Sequence, residues 1–164
     1  KGQIVVMTAA HVVDNPDSLL FIEAETGLYP AKAVYVDSGA DLAVLTVSED
    51  MRMKAIPLRK ANQRDVKVGT DVVYSGFPND AELLTIEGYI AGKHGRGFLY
   101  MHSYGWSGAS GSSVFDKEGR LVGILVALDV GPGIMGMPNI IEDVVIVVPI
   151  WLLDFSVLDK NLNQ

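Results

Sequence analysis

The stretch Gly105-Trp-Ser-Gly-Ala-Ser-Gly-Ser-Ser113 carries two overlapping Gly-x-Ser-Gly patterns, on Ser107 and Ser110, and the residues immediately C-terminal to it decide the fold. Asp116-Lys-Glu-Gly119 reads as a turn. Beyond it Leu121-Val-Gly-Ile-Leu-Val-Ala-Leu128 is apolar throughout, as in a strand buried on both faces. Short runs rich in Val, Ile, Leu and Tyr recur at 3–8, 19–24, 29–37, 42–47, 71–76, 83–91, 98–102 and 144–148, with Gly, Pro, Asn or Asp between them. This is a mostly-β pattern. A single helix is expected at the end, where Pro149 suits a first turn and Ile150, Leu153 and Leu158 share one face.

The 164 residues suffice for one domain or two small packed halves. The polar, proline-marked segment 56–67 separates two strand-rich halves, giving an expected division into 1–60, 61–148 and a C-terminal helix and tail at 149–164. Two barrels or one sandwich would both satisfy the strands, because closure cannot be read from alternation.

The net charge of -7 is scattered, with no run of like charges, which argues against a nucleic-acid partner. The longest apolar run, near 144–155, is broken by Pro149 and flanked by Glu142, Asp143 and Asp154, so no membrane insertion is expected. Ile4-Val-Val-Met7 is too short for a targeting segment, and a soluble chain is expected. The absence of cysteine excludes disulfides and thiolate metal sites. His94, in Gly92-Lys-His-Gly95, and His102 read as a loop and a strand residue, and neither a metal nor another cofactor is expected.

A serine hydroxyl is a poor nucleophile at neutral pH unless a base, usually histidine, accepts its proton, and that histidine needs an acceptor to hold its tautomer. His11 lies at a strand end among small apolar neighbours, in Val6-Met-Thr-Ala-Ala-His-Val-Val13. Asp41 stands at the mouth of an apolar strand, in Ser38-Gly-Ala-Asp-Leu-Ala-Val-Leu-Thr46, with Asp37 as the nearest competing carboxylate. Ser112 and Ser113 read as turn hydroxyls. A strand-to-helix nucleophile elbow would need Gly-x-Ser-x-Gly, but Ser107 has Ala109 and Ser110 has Ser112 at the last position, and a strand comes next.

Thr8-Ala-Ala-His11, Asp41-Leu-Ala-Val-Leu45 and Gly108-Ala-Ser-Gly111, in that order, resemble the three signature blocks of trypsin-like serine proteases. Within that superfamily the resemblance is nearest to disulfide-free bacterial enzymes of the HtrA type, through Asp-Leu-Ala-Val-Leu, Val68-Gly-Thr-Asp-Val72 and Ser75-Gly-Phe-Pro78. It extends from Ile4 to about Leu158. It implies two packed six-stranded Greek-key β-barrels with a short C-terminal helix, His11 and Asp41 on the first barrel, Ser110 on the second, and a polypeptide substrate.

In the resembled family the nucleophile is followed by glycine, two small residues and an aliphatic. Ser110 meets this with Gly111, Ser112, Ser113 and Val114, whereas Ser107 has Gly111 where the aliphatic belongs. Ser110 is therefore the expected nucleophile, with the amides of Gly108 and Ser110 as the oxyanion hole and Ser107 lining the turn. The specificity pocket is expected between Tyr104, Gly105, Trp106, Ser107 and the strand residues Leu125, Val126, Ala127. Tyr104 stands where an acidic residue would favour Lys or Arg, and no histidine lies in 124–128, so a small or medium apolar side chain is expected before the cut. The glycine-rich 131–138 loop is expected to border that pocket. The alternative is a protease-like domain kept as a structural or interaction module, as in a viral particle.

Only ten residues precede His11, so the first barrel is expected to lack its N-terminal strand. A fragment, a removed propeptide and a strand donated by another subunit of an oligomer are the three alternatives. A bare protease-like domain, without a peptide-binding module of the HtrA kind after Gln164, is expected.

Overall fold

The computed structural model describes residues 4–13, 19–47, 57–78, 82–131 and 139–162, with backbone alone at 127–131 and 139–142. The first half supplies β1 (Val5–Thr8), β2 (Leu20–Ala24), β3 (Gly27–Asp37) and β4 (Leu42–Val47). These form one antiparallel sheet in the order β1-β4-β3-β2. The second half supplies β5 (Asp71–Gly76), β6 (Leu84–Lys93), β7 (Leu99–His102), β8 (Ser113–Asp116), β9 (Leu121–Gly131) and β10 (Asn139–Pro149). They close into a six-stranded barrel, β10-β7-β6-β5-β8-β9. One of the two expected barrels is thus complete. The other is a half-barrel, an open four-stranded sheet among the described residues with β1 and β2 at the ends of its order.

The apolar run in β9 explains how the halves join. Val122 and Leu125 enter the barrel core with Tyr74, Ile90, Leu99 and Met101. Leu121, Ile124 and Val126 point the other way and pack with Ala9, Leu42 and Val44 of the first sheet. Every residue from 121 to 126 is buried, as a two-faced strand requires. The close pairing of Gly123 with Pro149 across β9 and β10 leaves no room for a side chain, since a Cβ there would collide with the Val148 carbonyl oxygen.

The turn from β8 to β9 is built around the buried Asp116 carboxylate, which accepts the amides of Glu118 (3.1 Å) and Arg120 (2.8 Å) and the Arg120 Nε–H (2.7 Å). A buried charge is tolerated only when it is paired and hydrogen-bonded in this way. Arg120 also reaches Asp65 at 3.4 Å, and the Ala61 amide donates to Leu121 O at 2.9 Å, so the connecting segment is laced to the hairpin.

The C-terminal helix begins later than the sequence suggests. Pro149 is the last residue of β10 rather than part of a first helical turn, and residues Ile150–Leu152 make a 3-10 turn. The α-helix α1 (Phe155–Leu162) is started by Asp154, whose Oδ1 accepts the amides of Ser156 (2.9 Å) and Val157 (3.2 Å) and the Ser156 hydroxyl (2.6 Å). The expected apolar set still holds: Ile150, Leu153 and Leu158 are all buried between the halves. Among the described residues no helix is long and apolar enough to cross a membrane.

Gly123→Ala should lose about 2 kcal/mol of stability, the ordinary cost of forcing atoms into a packed site, measured by denaturant unfolding. At the helix start, the hydrogen bond from Ser156, then that from Val157, lowers the Asp154 pKa, so its capping contribution is full above the ordinary value of 3.8 and disappears as pH falls through the lower folded value. Hydrogen exchange at the Ser156 and Val157 amides should accelerate over that acid window in the native protein, whereas in Asp154→Ala it should already be fast at neutral pH.

Candidate active site

β1 ends at Thr8, and the chain turns at once into a 3-10 turn, Ala10–Val13. Ala9, Ala10 and Val13 are buried, so small side chains let this turn lie against the sheet while His11 is left facing out. Opposite it, the connection from β3 to β4 is a tight turn. Asp37 Oδ1 accepts the amides of Gly39 (2.9 Å) and Ala40 (3.0 Å). The competing carboxylate is thereby engaged in shaping the turn.

The next residue, Asp41, has φ 54°, the one non-glycine residue with positive φ among those described. Asp is among the few residues that enter this region at modest cost. Its two oxygens grip one residue: Oδ1 accepts the His11 backbone amide at 2.9 Å and Oδ2 lies 2.8 Å from His11 Nδ1. Ionised carboxylate oxygens only accept, so neutral His11 carries its proton on Nδ1 and leaves Nε2 as an acceptor. The His11 side chain is 47% exposed, open to a reactant.

Ser110 sits on the loop between β7 and β8. Gly108 and Gly111 have φ 89°, conformations that a side chain would strain. Ala109 is fully buried between them. The Gly111 amide donates to Leu125 O (2.7 Å) and the Leu125 amide to Ser112 O (2.9 Å), fastening the loop to β9. Gly111 also abuts β1, where a Cβ would strike Thr8 Oγ1. This contact brings the serine loop against the end of β1, three residues before His11. The Ser110 hydroxyl donates over 3.4 Å to Val126 O, not to the imidazole. That is a long bond, and such contacts commonly tighten only with a bound reactant.

The expected pocket wall is divided. Tyr104 and Trp106 are exposed and stacked, with ring centroids 5.9 Å apart and planes 10° from parallel. Gly105 is buried and Ser107 exposed. Leu125 and Val126 are buried on β9, and Ala127 lies on the same strand with its side chain outside the described residues, as does all of the 132–138 loop. Sequence reasoning misses what pins this wall. The hydroxyl of buried Tyr74 donates to Tyr104 O at 2.7 Å, and burial pushes that phenol's pKa up, which keeps it a donor. The available signal is a tyrosine on the inward face of an alternating strand, whose hydroxyl needs a partner once buried. Among the described residues no cluster of three or more His, Cys, Asp or Glu is placed to hold a metal.

A family model described as "Trypsin-like peptidase domain" matches residues 1–124. No curated protein sequence matches the chain significantly. Among solved structures, a serine endoprotease from Yersinia pestis is similar with a TM-score of 0.75 and 22% identity, over 98% of this chain and 54% of that one. An HtrA-type protease, AlgW, with a bound decapeptide is similar with a TM-score of 0.76 and 21% identity, over 100% of this chain and 50% of that one. The chain spans about half the length of both.

The Asp41 clasp has a signature independent of catalysis. Nitrogen NMR of neutral His11 should show the proton on Nδ1, and Asp41→Asn, whose amide can donate, should shift the population toward the Nε2–H tautomer.

Proposed function

The chain belongs to the trypsin-like peptidase family, and from that premise we propose that it is a serine endopeptidase working through Ser110, His11 and Asp41. The observation that carries this reading is the double grip of Asp41 on His11, which sets the tautomer a general base needs. His11 Nε2 takes the Ser110 proton as Oγ attacks the scissile carbonyl carbon. The proton then passes to the leaving amine as the C–N bond breaks, giving an acyl-serine. Water, activated by the same nitrogen, releases the acid and restores the hydroxyl. The oxygen that gains charge in each tetrahedral intermediate is received by the amides of Gly108 and Ser110, for which the glycine at φ 89° supplies the turn.

The acyl-side pocket lies between the Tyr104–Trp106 pair and Leu125–Ala127. It contains no charged side chain among these residues, which supports a preference for a small or medium apolar side chain before the cut. The second reading, a protease-like domain acting as an interaction module, draws on the Ser110 hydroxyl being directed at Val126 O.

The two readings separate on covalent labelling. A fluorophosphonate probe should modify the native protein and Ser107→Ala but not Ser110→Ala, with the adduct mapped to Ser110 by mass spectrometry. Asp41→Asn should slow peptide hydrolysis by about ten-thousandfold at neutral pH. A native protein that never labels would favour the module.

A further inference from the structure

The ladder between β3 and β4 changes register once. Pairing runs evenly to Ala33 opposite Leu45, but Tyr35 then stands opposite Val44, so Val34 is an extra residue that the ladder skips. A bulge of this kind turns the rest of the strand over. Ala31 and Ala33 pack with Ala43 and Leu45, whereas Val34 and Tyr35 pack in the other cluster, with Leu42 and Val44. With the earlier register kept, Tyr35 would stand opposite Ala43 and Asp37 opposite Asp41. Asp41 would then be a ladder residue. With the bulge, Asp37 pairs with Leu42 instead, and Asp41 is free to take the φ of 54° from which both its oxygens reach His11.

What holds the bulge comes from the helix. α1 lies against β3, and Phe155, Leu158 and Leu162 join the cluster that contains Val34 and Tyr35. Asn161 Nδ2 donates to the Val34 carbonyl at 2.8 Å, so the residue skipped by the ladder has a partner on α1. Burial raises the pKa of the Tyr35 phenol, and the Asp37 carboxylate beside it raises it further. A protonated hydroxyl therefore stands next to the group that shapes the 37–41 turn.

We propose that Asn161 is a positioning residue for the general base: by holding the Val34 bulge it fixes the register that leaves Asp41 in the turn, and with it the clasp on His11. This rests on Ser110, His11 and Asp41 working as the proposed triad. The Asn161 carboxamide touches none of the reacting atoms and acts through a single carbonyl. Its effect is felt at the reaction because misplacing a catalytic group by about 1 Å can cost about a hundredfold in rate.

The test uses Asn161→Leu, which removes the donor, and Asn161→Gln, which keeps one. On an internally quenched peptide cut by the native protein, Asn161→Leu should lower kcat at least about tenfold with KM within about twofold, and Asn161→Gln should stay within about threefold of native. Hydrogen exchange at the His11 amide, which Asp41 Oδ1 accepts, should speed up at least about tenfold in Asn161→Leu while the amides of β8 and β9 stay within about twofold. Acceleration confined to α1, or shared equally by the barrel amides, would overturn the inference, since Asn161 would then contribute only to stability. Equal losses of kcat in the two variants would overturn it as well. The exchange measurement needs no turnover, so the two readings fail separately. Unchanged His11 exchange in Asn161→Leu, with Ser110 still labelled by the fluorophosphonate, removes the inference and leaves the peptidase reading standing. A native protein that neither cleaves nor labels removes both.

Discussion

The grip of one carboxylate on one histidine sets the geometry of everything around it. Asp41 can reach both the amide and the ring of His11 because its backbone turns through φ 54° straight after a turn shaped by Asp37. Strain at a single residue is tolerated where surrounding bonds fix it. Here two hydrogen bonds to Asp37 fix it on one side, and on the other β4 runs directly into the core, with Leu42, Ala43 and Val44 all buried. Because the amide and the ring are held by the same group, the 3-10 turn and the imidazole cannot move independently.

Where the serine loop lies relative to that unit is set by β9. Its outward residues fill the space between the halves while its inward ones complete the barrel, so the relative position of the two sheets is set by one strand's alternation. The same strand supplies the carbonyl that takes the Gly111 amide and the one that takes the Ser110 hydroxyl. Gly111 completes the join, being the position where the loop and the end of β1 come too close for a Cβ. The separation of Ser110 from His11 is therefore a packing distance, and interiors packed like molecular crystals hold such distances tightly.

How far the sequence discloses this depends on the range of the cause. The strands at 42–47 and 71–76 are legible to the residue, because their apolar residues lie between strong turn signals. β8 leaves no run of its own, being four residues that begin with a serine and end in Asp116, and only the turn after it points to a strand. The helix start is misplaced by the sequence pattern because Pro149 is equally at home as the last residue of a strand, while the Asp154 cap is signalled by Asp-Phe-Ser. Barrel closure is not legible, since it depends on which distant strands meet. At the site, the pairing of Asp41 rather than Asp37 with His11 is anticipated by the apolar strand that Asp41 precedes. The Tyr74 support beneath Tyr104 is not, because it joins residues 30 positions apart through a single hydroxyl.

That support bears on what the proposed pocket wall could do. Tyr104 and Trp106 are exposed rings on a loop, and rings so placed would ordinarily change rotamer freely and define no shape. Three bonds beneath them restrict this: Tyr74 to the Tyr104 carbonyl, the Ala109 amide to Trp106 O at 3.1 Å, and the Ser103 hydroxyl to Glu87 O at 3.0 Å. The backbone before Gly105 is thus tied to the barrel, that of Trp106 is held in its own loop turn, and the mutual stacking limits each ring further. Selectivity costs little extra ordering when the wall is fixed beforehand, because the entropy of fixing it was lost on folding rather than on binding. The same barrel that fastens the Ser110 loop through Gly111 and Ser112 therefore also fixes the backbone beneath Tyr104.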